Sequence, residues 1–222
     1  MINYQNVNVG YNKEKVVLKN INLSLGNGEL YILCGPSGVG KSTFLDSLVG
    51  FVKPYDGNII VNEKNINQFS KKEIQLFRKK EISYLPQSYS LIDSINVIDN
   101  VCLPIILFDK SQSVSEVYEQ GMIALKEMEM DRLANKFPYE LSGGEKKRVE
   151  IVRCLFHKTP IVIMDEPTNN LDDRCVSNLI TYLLREKKNR KTMIVSSHDT
   201  RLFDIADAKK ITIANSLVSV EQ

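Results

Sequence analysis

The chain lacks any marked excess of charge: 29 lysines and arginines face 27 acids, for a net charge of +2. A dedicated nucleic-acid binder carries a basic excess, so that class of partner is excluded as the leading one. Cysteine is scarce and scattered. Cys34, Cys102, Cys154 and Cys175 stand singly, without the CxxC pairs of a zinc or redox motif, and read as reduced core or surface thiols. Long apolar runs are missing too; Ile105-Ile106-Leu107-Phe108 falls far short of the roughly 20 residues that a membrane span requires. Met1 to Asn6 has neither charged leader nor apolar h-region, so a cytoplasmic chain is expected, with any membrane role borrowed from another subunit. There is no internal repeat and no low-complexity linker.

What is present is the composition of an ordinary globular protein, 43% hydrophobic and 25% charged, in 222 residues, enough for one well-buried domain or a domain with a small lobe. Ile21, Leu23 and Leu25 alternate in the strand manner. A turn at Gly26-Asn27-Gly28 leads to the apolar strand Leu30 to Cys34. Helical spacing follows Lys41 (Phe44, Leu45, Leu48, Val49), then a strand over Asn58 to Val61, a helix over 71–80 and an extended stretch over 82–85. From about 95 to 158 the pattern is mostly helical, interrupted by Pro104, Pro138 and Gly143-Gly144, which predicts a separate helical lobe. A strand over 160–164, a helix over about 173–187, a strand over 192–196 and a last helix–strand pair restore the βα alternation of a mainly parallel sheet.

Gly35-Pro36-Ser37-Gly38-Val39-Gly40-Lys41-Ser42 fits GxxxxGKS and sits between a buried strand and a helix. Glycines let such a loop curl so that its backbone N–H groups point inward, and the helix N-terminus adds partial positive charge. A polyphosphate is thereby held, with Lys41 reaching the β- and γ-phosphates and Ser42 offering a hydroxyl to Mg²⁺. The run Ile161 to Met164 ends in Asp165-Glu166, at the strand edge where α/β sheets bind ligands. Asp165 is the natural Mg²⁺ partner, and Glu166 can polarise an attacking water. Leu141-Ser142-Gly143-Gly144-Glu145 opens another helix, whose Val149, Val152 and Phe156 form the apolar stripe and whose Lys146, Lys147 and Glu150 are expected on the opposite face. Its N-terminus is a second anion site or an ordinary helix cap.

GPSGVGKST, LSGGE, IVIMDEPT and Ser197-His198-Asp199 together resemble the ATP-binding-cassette family, in matching order and spacing along essentially the whole chain. The resemblance implies an α/β fold: a P-loop NTPase core with a mainly parallel sheet, an N-terminal antiparallel β subdomain and an inserted helical subdomain. Residues 1–87 and 159–222 then form the core and about 88–158 the helical part. It implies ATP and Mg²⁺ as cofactors, Thr43 beside Ser42 at the phosphates, and a head-to-tail dimer in which Ser142, Gly143, Gly144 and Glu145 of one subunit cap the γ-phosphate on the other's loop. Tyr11 resembles the aromatic residue that stacks on adenine. Gln87 resembles the glutamine that senses Mg²⁺ and the attacking water, Asp172 belongs to the loop crossing the dimer interface, and His198 resembles the histidine at the γ-phosphate. Lys146-Lys147 departs from the family, which commonly has glutamines there.

Only about 100 residues separate Lys41 from Ser142, without sustained heptads, which argues against repair and chromosome ATPases with their long coiled coils. The stretch Gln87 to Pro104 resembles the macrolide-export, lipoprotein-release and peptide-resistance group. That implies an ATPase at the inner face of the cell membrane, powering a separate permease, with Tyr89, Leu91, Ile92 and Ile95 as the expected docking residues. The alternative is a cassette that transmits conformational change for signalling or envelope remodelling.

Overall fold

Alternation near the N-terminus becomes an antiparallel sheet. A computed structural model of the chain describes residues 1–12, 15–109 and 111–221. Strands β1 (Ile2–Asn12), β2 (Lys15–Leu25), β4 (Asp56–Val61) and the two-residue β5 (Lys64–Asn65) are arranged in the order β2-β1-β4-β5. Ile2, Tyr4, Val7 and Val9 of β1 turn inward with Leu18, Ile21 and Leu25 of β2. The second sheet holds β3 (Leu30–Cys34), β6 (Ile82–Leu85), β7 (Ile161–Asp165), β8 (Thr192–Ser196), β9 (Lys209–Ala214) and β10 (Leu217–Glu221), in the order β10-β9-β3-β8-β7-β6. Pairing is parallel from β9 through β3 and β8 to β7. β7 and β8 are buried at every residue, as strands covered on both faces must be.

The α-helices among the described residues are α1 (Lys41–Val49), α2 (Lys71–Glu81), α3 (Val97–Phe108), α4 (Val114–Glu127), α5 (Gly143–Phe156), α6 (Asp173–Lys188) and the short α7 (Thr200–Phe203). Ser70, Ser113 and Ser142 each close a capping box with a glutamate three residues on, which fixes where α2, α4 and α5 begin.

The chain divides into two compact units, one of Met1–Tyr84, Thr159–Glu166 and Leu183–Gln222, the other of Leu85–Lys158 and Pro167–Tyr182. The first contains the antiparallel sheet and the parallel strands. The second is helical, built on α3, α4 and α5.

Two local expectations change. α3 runs through Pro104 instead of breaking there, because a proline costs one i to i−4 hydrogen bond and a helix held by burial of Val97, Val101 and Ile105 tolerates that loss. The last strand is a pair: β9 and β10 form an antiparallel hairpin through Asn215 and Ser216, both at positive φ. None of the four cysteines is in a disulfide. No helix among the described residues is long and apolar enough to cross a membrane.

Candidate active site

Register brings the site together. Leu33 of β3 pairs with Ser196 of β8, and Ser196 pairs on its other side with Asp165 of β7. The strands are parallel, so all three end level, and the loops that leave them emerge side by side at the edge where such sheets bind ligands. Those loops carry Gly35–Gly40, Glu166 and His198.

Gly40 caps α1 in the left-handed region, at φ 111°, and a Cβ there would lie 2.8 Å from Val17 Cγ1, so the turn requires glycine. No side chain caps α1 and its first turn holds no acid, whereas Ser70, Asn96, Ser113 and Ser142 cap α2, α3, α4 and α5. A helix start left without a side-chain acceptor is suited to an anion. Pro36, Ser37 and Gly38 are exposed on the loop; Gly35, Val39 and Ser42 are half-buried. Lys41 is buried, and its Nζ donates to the carbonyls of Gly35 (2.8 Å) and Pro36 (3.3 Å) and to His198 Nε2 (2.9 Å). An ammonium has no acceptor, so a neutral His198 carries its proton on Nδ1. Thr43 Oγ1 donates to the hydroxyl of Tyr11, 3.3 Å away, and Tyr11 leaves two thirds of its surface (66%) open to solvent.

The two acids are buried. Asp165 Oδ1 accepts from the Ser196 hydroxyl, while its Oδ2 has no hydrogen-bond partner. Glu166 stands at φ 50°, its amide donating to the carbonyl (3.1 Å) and hydroxyl (2.9 Å) of Ser196. Neither carboxylate oxygen of Glu166 is hydrogen-bonded; Oε1 lies 3.7 Å from Lys41 Nζ and 3.3 Å from His198 Nε2. Leaving a buried acceptor unmatched costs about 1–3 kcal/mol, so three of them at one strand edge are a demand for a ligand or cation. The donor set fits Mg²⁺: a carboxylate oxygen of Asp165 and the hydroxyl of Ser42 are hard ligands. Among the described residues no group of three or more His, Cys, Asp or Glu side chains can hold a metal unaided, so most of the ion's oxygens would come from phosphates and water.

The remaining candidates belong to the second unit. Gln87 is exposed. Ser142 and Glu145 form a reciprocal cap in which Ser142 N (2.8 Å) and Oγ (2.7 Å) donate to Glu145 Oε2 and Glu145 N donates to Ser142 Oγ (3.3 Å). These bonds from Ser142 hold the Glu145 carboxyl below the usual glutamate range. Gly143 is exposed, and a Cβ on Gly144 would meet Asn170 O at 2.7 Å. Asp172 accepts from the Cys175 amide at 2.7 Å, which lowers its pKa and starts α6. One expectation is overturned here: Lys147 and Glu150 are 2% and 1% exposed, not solvated opposite the apolar stripe.

Residues 18–169 match the family described as ABC transporter. The chain belongs to the ABC transporter ATP-binding family. The cassette is 35% identical to the lipoprotein-releasing system ATP-binding protein LolD of Buchnera aphidicola, over 84% of this chain and 81% of that protein. It is 34% identical to the ABC transporter ATP-binding protein YtrE of Bacillus subtilis, over 90% and 86% respectively. A dimeric, post-hydrolysis structure of the ATP-binding cassette MJ0796 bound to ADP and Pi superposes with a TM-score of 0.92 at 30% identity, covering 100% of this chain and 98% of that one.

Two features of this cassette escape a reading of the sequence alone. Ser196 is an ordinary strand-end serine by pattern, yet it contacts both acids; the available signal is a hydroxyl in register with a buried aspartate. Asp46, four residues beyond Ser42 on α1, accepts from the Tyr84 hydroxyl at 2.9 Å. Burial raises the Asp46 pKa, with the Tyr84 bond opposing and the charge of Asp165 adding to the rise.

Proposed function

We propose that the cassette is a MgATP-driven motor that closes head-to-tail with a second copy and works on a separate membrane permease from the cytoplasmic side. The observation that carries this reading is the group of unmatched carboxylate oxygens of Asp165 and Glu166, set beside Lys41 at the uncapped start of α1. In this reading residues 1–87 and 159–222 form the catalytic core with its β subdomain, and 88–158 the helical subdomain.

ATP would lie with its phosphates on the loop Gly35 to Thr43, where every residue but Pro36 offers a backbone N–H, and with its adenine on Tyr11. Lys41 turns from the loop carbonyls to the β- and γ-phosphates, exchanging neutral acceptors for anionic ones. Ser42, Asp165 and Gln87 would hold Mg²⁺, which would neutralise phosphate charge. Glu166 accepts a proton from, or orients, the attacking water, and the ring of His198 hydrogen-bonds the γ-phosphate. The reaction depends on positioning and charge stabilisation, with no covalent intermediate. Ser142, Gly143 and Gly144, with Glu145 holding the helix start and Asp172 at the crossing loop, complete the γ-phosphate site of the partner cassette. Similarity to the lipoprotein-releasing LolD proteins supports a permease of that group as partner.

Glu166→Gln tests the composite site. The variant is expected to bind ATP, to hydrolyse it negligibly, and to pass from monomer to dimer on ATP addition in size-exclusion chromatography with light scattering. A variant that binds ATP yet stays monomeric at high concentration overturns the reading.

A further inference from the structure

Within the second unit, α5 grips the segment 87–90 through a charged cluster. Lys147 and Glu150 lie one turn apart on α5 with side chains 3% and 0% exposed, and Lys147 Nζ is 3.4 Å from Glu150 Oε2. Their other partners lie in that segment. Lys147 Nζ donates to Gln87 O at 3.5 Å and sits 5.5 Å above the Tyr89 ring. Glu150 Oε1 accepts from the Ser90 amide and, at 3.0 Å, from the Ser90 hydroxyl. One turn further on, Arg153 donates to Ser90 O at 2.9 Å and to Ser90 Oγ. At the other end of the segment's reach, the Tyr89 hydroxyl donates to Gly143 O at 3.2 Å.

Stability does not explain such a pair. Desolvating two charges roughly cancels their attraction, and apolar residues of similar size in both places are often as stable or more so. What the pair supplies is polarity of contact. The ammonium can meet only electron-rich groups and the carboxylate only donors, which favours the seating of Gln87 O at Lys147 and Ser90 N at Glu150. Gln87 heads the segment, and Ser142–Gly144 head the helix.

We infer that Lys147 and Glu150 form an ionic clasp that seats residues 87–90 on α5 in one register, so that Gln87 and Ser142–Gly144 move as one body. They are positioning residues, and the inference rests on the reading of Gln87 and Ser142–Gly144 as nucleotide-facing groups. It gives the departure at Lys147 a role: a neutral glutamine there would take from Glu150 its ion-pair partner and leave it to Arg153.

The test uses Lys147→Met, Glu150→Met, the double variant, and Ser142→Arg as a control. Each single variant removes one partner of the buried pair and is expected to melt earlier; the double variant, with neither charge of the pair, is expected to recover the melting midpoint. Turnover is expected to stay down in the double variant, with kcat lowered roughly three- to thirtyfold and KM nearly unchanged, because the register signal is lost. A merely structural pair would let kcat recover along with the midpoint, and that result overturns the clasp. In the unsubstituted cassette the Ser90 amide is expected to exchange hydrogen at least about a hundredfold more slowly than a free amide. Free exchange there overturns the clasp whatever the variants do. If Ser142→Arg keeps normal turnover and ATP-driven dimerisation, the functional reading fails instead of the clasp.

Discussion

Ser196 and Asp165 face each other in register across β8 and β7, and the Ser196 hydroxyl occupies one carboxylate oxygen of Asp165 while the other is left without a partner. The serine thereby fixes the rotamer of the acid and leaves a single oxygen for a cation. Ser196→Ala is expected to cost about 1–3 kcal/mol in urea unfolding, since Oδ1 loses its donor in a buried place. It is also expected to raise the Mg²⁺ concentration required for half-maximal ATPase activity. Unchanged Mg²⁺ dependence would argue against Asp165 as the metal-facing acid.

The Lys41 ammonium meets loop carbonyls, His198 and Glu166, all of them groups of the site itself. Lys41→Ala is expected to leave the fold intact by circular dichroism and to abolish detectable ATP hydrolysis. Full turnover with nucleotide bound as before would remove Lys41 from the phosphate site.

Asp46 offers a pH test whose sign follows from its raised pKa. The folded state holds this proton more tightly than the unfolded chain does. The group therefore costs stability above its folded pKa, and the cost disappears as pH falls through the ordinary carboxylate value near 3.8. Asp46→Asn keeps an acceptor for Tyr84 and is expected to melt higher than the parent at pH 7 without nucleotide. The gap should close as the pH is lowered toward 4. A gap independent of pH would show that burial of the charge is not its source.

The docking residues expected from sequence divide by exposure: Tyr89 and Ile92 are exposed at 48% and 42%, while Leu91 and Ile95 are half-buried. The side chain of Asn100 holds this loop, accepting from Ile92 N (2.8 Å) and donating to the carbonyls of Ile92 (3.0 Å) and Ile95 (3.1 Å). Ile92→Glu should therefore keep the fold and the basal ATPase activity while losing co-purification with the permease. A variant that still co-purifies and is still stimulated places the interface elsewhere.

The phosphate loop, the acids at the end of β7 and the start of α5 are legible because each depends on local chemistry: glycines at a turn, an apolar run ending in acids, a glycine pair ahead of a helically spaced apolar stripe. α3 through Pro104 and the burial of Lys147 and Glu150 were not legible. Helical periodicity assigns charged residues to solvent by default, and only a partner supplied by a distant segment, here Gln87 and Ser90, reverses that assignment. Ser196 is hidden from the sequence for the same reason, since its role comes from β-sheet register and not from its neighbours in the chain.

That register sets which kinds of length change the chain can absorb. The strands ending at Cys34, Asp165 and Ser196 reach one edge level with each other, although more than a hundred residues lie between the first and the second. Codons gained or lost in the connecting loops leave the three ends aligned, because loop closure grows costlier only slowly with length. A single residue gained or lost inside β3, β7 or β8 rotates every later side chain to the opposite face, sending Asp165 or Leu33 where its neighbour belonged. Deletion scanning should accordingly mark the N-terminal boundary of each strand as a sharp loss of activity, whereas past the C-terminal ends the loss should run on through Gly35–Lys41, Glu166 and His198.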